Sequence, residues 1–138
     1  MATSPQPHLT PEYQARTERS LKMALAAAQG AEDNRGEDIL ILDLREQTPI
    51  FDFFVIATGA SQRQLRAMSD SIEEILTKEL EQKKLSVDGY TQSKWIALDF
   101  GPVVVQLFDP ESRQYYQLEE LWAAAPRVPR PAKVKIGE

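Results

Sequence analysis

The stretch Lys94–Phe108, KWIALDFGPVVVQLF, decides the fold. Two apolar runs flank Gly101-Pro102. Glycine at the first central position of a two-residue turn supplies the positive φ that a type II′ hairpin needs, and proline is tolerated at the second. Counting outward from that turn, Phe100 faces Val103, Asp99 faces Val104, Leu98 faces Val105, Ala97 faces Gln106, Ile96 faces Leu107 and Trp95 faces Phe108. Strand side chains alternate between faces. One face therefore carries Ile96, Leu98, Phe100, Val103, Val105 and Leu107, without a polar side-chain atom, and must be the one that meets the core. The other carries Trp95, Ala97, Asp99, Val104, Gln106 and Phe108. It is mostly apolar, edged by a carboxylate and an amide, with an aromatic pair at its far end. That composition predicts a surface left open for a partner.

Upstream of the hairpin, Met1–Leu9 holds two prolines and no periodic apolar pattern, and is expected to be a flexible tail. Thr10-Pro11 reads as an N-cap with proline at the first helical position, and Gly30 as the residue just past that helix's end. Leu21, Ala24, Leu25 and Ala28 form its modest apolar stripe. Ile39–Leu42 is apolar on both faces, as in an interior strand, and Phe53–Ile56 forms a second such strand that closes in Thr58-Gly59. Ser61 and Gln64 have capping-box spacing. Beyond them Leu65, Met68, Ile72, Ile75, Leu76 and Leu80 give the clearest helical period in the chain. Leu85–Gln92 reads as a strand interrupted by Asp88-Gly89.

After the hairpin, Asp109–Ser112 reads as a turn, and Leu118–Trp122 as a short helix stopped by Pro126. The basic, proline-rich remainder, residues 126–138, is expected to be disordered. The order helix, strand, strand, helix, strand, hairpin, helix predicts an α/β fold with a single mixed sheet of about five strands. Its helices are expected mainly on one face, with the Ser61 helix as the principal cover. One domain spans residues 10–125, between two tails.

Composition narrows the function. A chain of 138 residues with 42% hydrophobic content is one domain's worth, and it can bury a single core. Sixteen Lys and Arg against 21 Asp and Glu give a net charge of -5, the wrong sign for a protein that grips nucleic acid through phosphates. There is no cysteine, and the single histidine, His8, lies in the tail. A thiolate or imidazole metal site and a His-based triad are thereby excluded, and no cofactor or metal is expected. No apolar run reaches the length of a membrane span, and the start lacks the pattern of a secretory signal. These features predict a cytoplasmic protein.

Several short motifs stand in fixed order: Asp52–Gly59 (DFFVIATG), Ser61 with Arg63-Gln64, Asp70, Asp88-Gly89, Trp95–Gly101, Val103–Phe108, Arg113–Tyr116 (RQYY) and Leu118–Trp122 (LEELW). Together they resemble the ribosomal silencing factor family, also called RsfS or Iojap, over residues 19–125. The resemblance implies a non-enzymatic protein with a fold similar to nucleotidyltransferases but without their active site. It further implies binding to the large ribosomal subunit through the ribosomal protein numbered fourteen, at the subunit interface. There the family blocks joining of the small subunit and lowers translation, typically when nutrients are scarce. Free members are often homodimers, and the net charge of -5 adds the expectation of little direct contact with nucleic acid. Three departures bear on individual contacts: Gln106 stands where histidine is common, Pro102 where aspartate is common and Asp88 where glutamate is common.

The candidate contact residues are Trp95, Asp99, Val104, Gln106 and Phe108 on the outward hairpin face, with Arg63, Arg113 and Tyr116 nearby in the motifs. Tryptophan buries a large area at small entropic loss, so Trp95 leads as an anchor. Its bland alternative is burial under the amino-terminal helix. Asp99 either pairs with a basic partner or satisfies amides at the hairpin end. Ser61 and Gln64 are explained by capping, whereas Arg63 has no such role and is free for contact. Tyr116 can bury its ring with the hydroxyl on a rim. The alternative function is a nucleotidyltransferase-like, nucleotide-binding enzyme using Asp43, Asp52 and Asp99 as a carboxylate set. That chemistry requires convergence on one point beside a phosphate cradle, and Thr58–Ser61 is a weak one.

Overall fold

The computed structural model describes residues 10–130, so the predicted tail Met1–Leu9, with His8, and residues 131–138 lie outside the described residues. The elements run α1 (Pro11–Asp33), β1 (Glu37–Asp43), β2 (Phe53–Thr58), α2 (Gln62–Glu74), β3 (Ser86–Asp88), β4 (Trp95–Asp99), β5 (Val103–Phe108), α3 (Pro110–Tyr116) and α4 (Leu118–Leu121). A π-helical turn, Ile75–Glu79, extends α2. The strands form one mixed sheet in the order β1-β2-β5-β4-β3. Only the β2–β5 pair is parallel.

The hairpin has the register that its turn dictates, from Trp95 opposite Phe108 to Asp99 opposite Val104. Gly101 sits at φ +89°, a conformation closed to most side chains, and Phe100 donates its amide to the Val103 carbonyl at 3.0 Å. The inward face joins the main core as expected: Ile96, Leu98, Val103, Val105 and Leu107 are fully buried and Phe100 nearly so. They meet Leu65, Met68, Ile72 and Leu76 of the second helical segment and Met23, Ala24, Ala27, Ala28 and Ala31 of α1. Burying one such Leu or Ile stabilises the fold by roughly 1.5–3 kcal/mol.

The first helix begins as the sequence indicates, with Thr10 Oγ1 accepting the Tyr13 amide at 3.1 Å. It does not stop at Gly30. It continues to Asp33 with Asn34 as its cap, because Gly30 serves as a point of close approach. A Cβ there would lie 3.0 Å from Ile72 Cγ1 and 3.1 Å from Ile75 Cδ1, so a small residue lets α1 settle on α2. The buried stripe is consequently richer in alanine than Leu21 and Leu25 suggest, and both of those leucines are only partly buried.

Three further expectations are corrected. The strand β1 is an edge strand, not an interior one. Its apolar character on both sides reflects cover on both faces, with Ile41 in the main core and Leu42 in a second cluster. Asp109–Ser112 is the start of a helix: Asp109 caps it by accepting the Ser112 amide at 2.7 Å, and Pro110 takes the first position. The beginning of the basic tail is ordered against β1. Asp43 donates its amide to the Pro126 carbonyl and Val128 donates to the Ile41 carbonyl, both at 2.8 Å, and Arg130 pairs with Glu32 at 3.2 Å. The tail thus supplies the partner that the free β1 edge lacks. Among the described residues, no helix is long and apolar enough to cross a membrane.

Candidate functional site

The outward face of the hairpin is half closed. The last helices do not join α1 and α2. They fold to the opposite side of the sheet, where Leu118 and Ala125 form a second cluster with Leu42, Leu44, Phe54, Ile56, Val104 and Phe108. Trp122 closes its edge against Phe54 at 5.9 Å between ring centroids. The expectation that this whole face stays open is therefore corrected: Phe108 is 0% exposed, Val104 6% and Gln106 7%. The cover comes from the carboxy-terminal segment rather than from the amino-terminal helix. Cover thins toward β4, where Trp95, Ala97 and Asp99 remain partly exposed.

Trp95 is the centre of what stays accessible. Its ring stacks on Phe108 at 4.9 Å and 28° and leans on Tyr116 at 4.7 Å and 48°. Its indole Nε1–H donates to Gln106 Oε1 at 2.7 Å. Tyr116 is 48% exposed and Tyr115, set edge-on to it at 5.0 Å, is 80% exposed. Three rings from β4 and α3 thus form a continuous aromatic ledge at one end of the sheet. The sequence motifs brought Trp95 and Tyr116 forward but not the prominence of Tyr115. A helical reading of Asp109-Pro110 would have placed the two tyrosines next to Trp95.

Around the ledge the supports are polar. Arg66 binds the loop before Trp95 through the Thr91 carbonyl at 2.8 Å and Ser93 Oγ at 2.7 Å. Tyr90 donates its hydroxyl to Asp70 at 3.1 Å, and that bond holds the phenol above its usual pKa. Gln62 Nε2 reaches the Gln92 carbonyl at 3.2 Å, which brings the start of α2, and the exposed Arg63, to the same end of the sheet. Ser61 caps α2 by accepting the Gln64 amide at 3.1 Å. Gln64 reaches back to the amide of Ala60 rather than to that of Ser61, and its nitrogen bonds the carbonyls of Asn34 and Arg35.

Two other candidates sit elsewhere. Arg113, expected as a contact, is pinned inside. Its side chain is 10% exposed, donates to Thr58 Oγ1 at 2.8 Å and pairs with Glu119 at 3.1 Å, tying α3 and α4 to the end of β2. Asp99 lies at the opposite end of β4 from Trp95, about 13 Å along the strand at ~3.3 Å per residue. Its Oδ1 accepts the Gly101 amide at 2.8 Å, the local role that the sequence allowed for it.

The carboxylates of the enzyme alternative do not converge. Asp52, 2% exposed, accepts from Ser20 Oγ at 2.7 Å and Arg16 at 3.0 Å under α1. Asp43 takes the Arg45 guanidinium through both oxygens, at 2.9 and 2.6 Å, and Asp99 serves the turn. Burial pushes the Asp43 carboxyl up, but hydrogen bonds from the Arg45 side chain and amide, with its charge, outweigh that and hold it below its ordinary value. Among the described residues, no three His, Cys, Asp or Glu side chains are grouped so as to hold a metal ion. A cleft of about 500 Å³ beside Arg113 is lined by charges of both signs, including Glu37, Asp38, Glu120 and Arg127.

A family model described as ribosomal silencing factor during starvation matches residues 17–137, running past the last sequence motif into the proline-rich tail. The ribosomal silencing factor RsfS of Bacillus subtilis is 38% identical over 106 residues, 77% of this chain and 86% of that protein. The protein of the same name from Halalkalibacterium halodurans is 35% identical over 103 residues, 74% of this chain and 86% of its own length. A crystal structure of a Chromobacterium violaceum protein matches with a TM-score of 0.71 at 30% identity, covering 86% of this chain and 96% of that one. With the sheet order, the hairpin and the sequence motifs in agreement, the chain belongs to the ribosomal silencing factor family.

Proposed function

We propose that this protein docks on the large ribosomal subunit through the ribosomal protein numbered fourteen, blocks joining of the small subunit by its bulk, and so lowers translation. The observation that carries the reading is the aromatic ledge of Trp95, Tyr116 and Tyr115, three rings in mutual contact that stay partly exposed at one end of the sheet. Rings of this kind are the usual anchors of protein interfaces, since they bury much area at little entropic cost. Steric blocking needs a rigid body seated in the right place and no chemistry.

Charge supports a protein partner over RNA. A net charge of -5 repels rRNA and attracts a basic ribosomal protein, which would set orientation and on-rate more than affinity. Within this reading Trp95 and Tyr116 supply the anchor, exposed Arg63 contributes from the same end of the sheet, and Asp99 lies at the far rim. Val104, Gln106, Phe108 and Arg113 act from beneath, as supports. The working place is the cytoplasm, and the free protein pairs as a homodimer.

Sucrose-gradient sedimentation with isolated large subunits tests this. The protein should travel with the large subunit, and adding small subunits should yield fewer joined ribosomes than in its absence. Protein that stays at the top of the gradient, or joining that proceeds unchanged, would contradict it.

A further inference from the structure

We propose that Gln106 is the positioning residue for Trp95, presetting the indole for docking; the inference rests on the docking role argued above. Gln106 lies in β5 opposite Ala97 and is 7% exposed. Its neighbours on the same face, Val104 and Phe108, are apolar. A valine or leucine would fill this place at lower cost, because a buried amide is unfavourable unless it is partnered. The partner of its oxygen is the Trp95 indole N–H, at 2.7 Å. An indole has a single donor and no acceptor, so this one bond uses its whole hydrogen-bonding capacity.

The geometry shows what the bond adds. Phe108 lies under the ring and Tyr116 at its side, and both contacts are apolar surfaces along which an indole can slide or turn over. The bond to Gln106 fixes the nitrogen edge toward the sheet and thereby decides which edge of the ring points outward. The order that docking demands is thus imposed when the chain folds. A partner then meets a side chain that has little rotamer freedom left to lose. Without an acceptor at position 106, the N–H must turn to find water, and the outward edge changes with it.

The test uses the full chain in a Trp122→Phe background, which leaves Trp95 as the only indole. Three quantities are read: hydrogen exchange at the Trp95 indole N–H, Kd for isolated large subunits, and the thermal midpoint. Gln106→Leu should speed indole exchange and weaken Kd by roughly two- to tenfold, the equivalent of one newly immobilised side chain. Gln106→His, whose ring nitrogen can accept the same bond, should restore slow exchange and most of the affinity. Should Gln106→Leu fail to fold, Gln106→Met takes its place under the same criteria. Faster exchange with unchanged Kd, or equal loss of affinity in the leucine and histidine variants, would overturn the positioning role. A parent chain that binds no subunits at all defeats the docking reading itself, a result distinct from parental binding that Gln106→Leu leaves untouched.

Discussion

On one side of the sheet, α1 and α2 lay down a broad layer in which Leu65, Met68, Ile72 and Leu76 meet the hairpin's inward face with no side chain left in water. On the other, two short helices and the turn after them reach only part of the way across, sealing Phe108 and Val104 and leaving Trp95 leaning on a half-exposed tyrosine. Both layers use the same strands, and both are apolar. The first is closed by the two long helices α1 and α2, which pack side by side over the sheet. The second is closed by a segment too short to cover it, and the part it misses includes the Trp95 ring. Incomplete cover on one face of a domain is therefore a place to look for a partner, and completeness on the other is what allows it.

Breaking the closed side should have the largest effect. Ile72→Ala, in the last turn of α2 and fully buried against both Gly30 and the main core, should cost about 2–5 kcal/mol in chemical denaturation. A chain ending at Ala125 attacks the strap instead. It loses the two backbone hydrogen bonds to β1, the packing of Val128 and the Arg130–Glu32 pair, which is partly exposed and worth little by itself. A loss of about 2 kcal/mol is expected at ~1 kcal/mol per bond. The bared β1 edge should also make the chain self-associate, a change that light scattering would detect.

The open side should behave in the opposite way. Tyr115→Ala removes a ring that is 80% exposed, so stability should move by less than about 0.5 kcal/mol while sedimentation with large subunits falls. A large stability loss with binding intact would reverse the roles assigned to the two faces. The smallest effect expected is electrostatic. The Asp43 carboxyl is held below its ordinary value of 3.8 in the folded chain, so the fold prefers the ionised form. Its contribution is complete above that value and is lost as pH falls through the lowered folded pKa. Asp43→Asn should accordingly reduce stability slightly at neutral pH and flatten the steepest part of the acid limb in a series of melts.

Much of this arrangement is legible in the sequence where the determinants are local. Gly101-Pro102 sets the hairpin register, the Ser61 cap and the period from Leu65 onward set α2, and the alternation of β4 and β5 sets which residues face the main core. What escaped was decided by packing between distant segments. Gly30 reads as a helix stop because glycine usually is one, and only the approach of Ile72 explains why the helix runs through it. The strand β1 reads as interior because both faces are apolar, yet its second neighbour is the strap after Pro126. The cover over Phe108 is not legible because Asp109-Pro110 suits a turn as well as a helix start. Taking it as a helix puts Tyr115, Tyr116 and Leu118 back over the hairpin. The alternation of the hairpin marks Trp95 as an outward ring but does not indicate that Gln106 accepts its indole N–H.

The most direct test is Trp95→Ala, measured for sedimentation with isolated large subunits and for thermal unfolding on the same preparation. Trp95 is only partly buried, so the variant should keep a cooperative transition near that of the parent chain. Its affinity for the subunit should fall by about 2 kcal/mol or more, the usual cost of removing an interface anchor. A folded variant that sediments with the large subunit as tightly as the parent would show that this ring is no docking anchor, and one that unfolds outright would show that it belongs to the core.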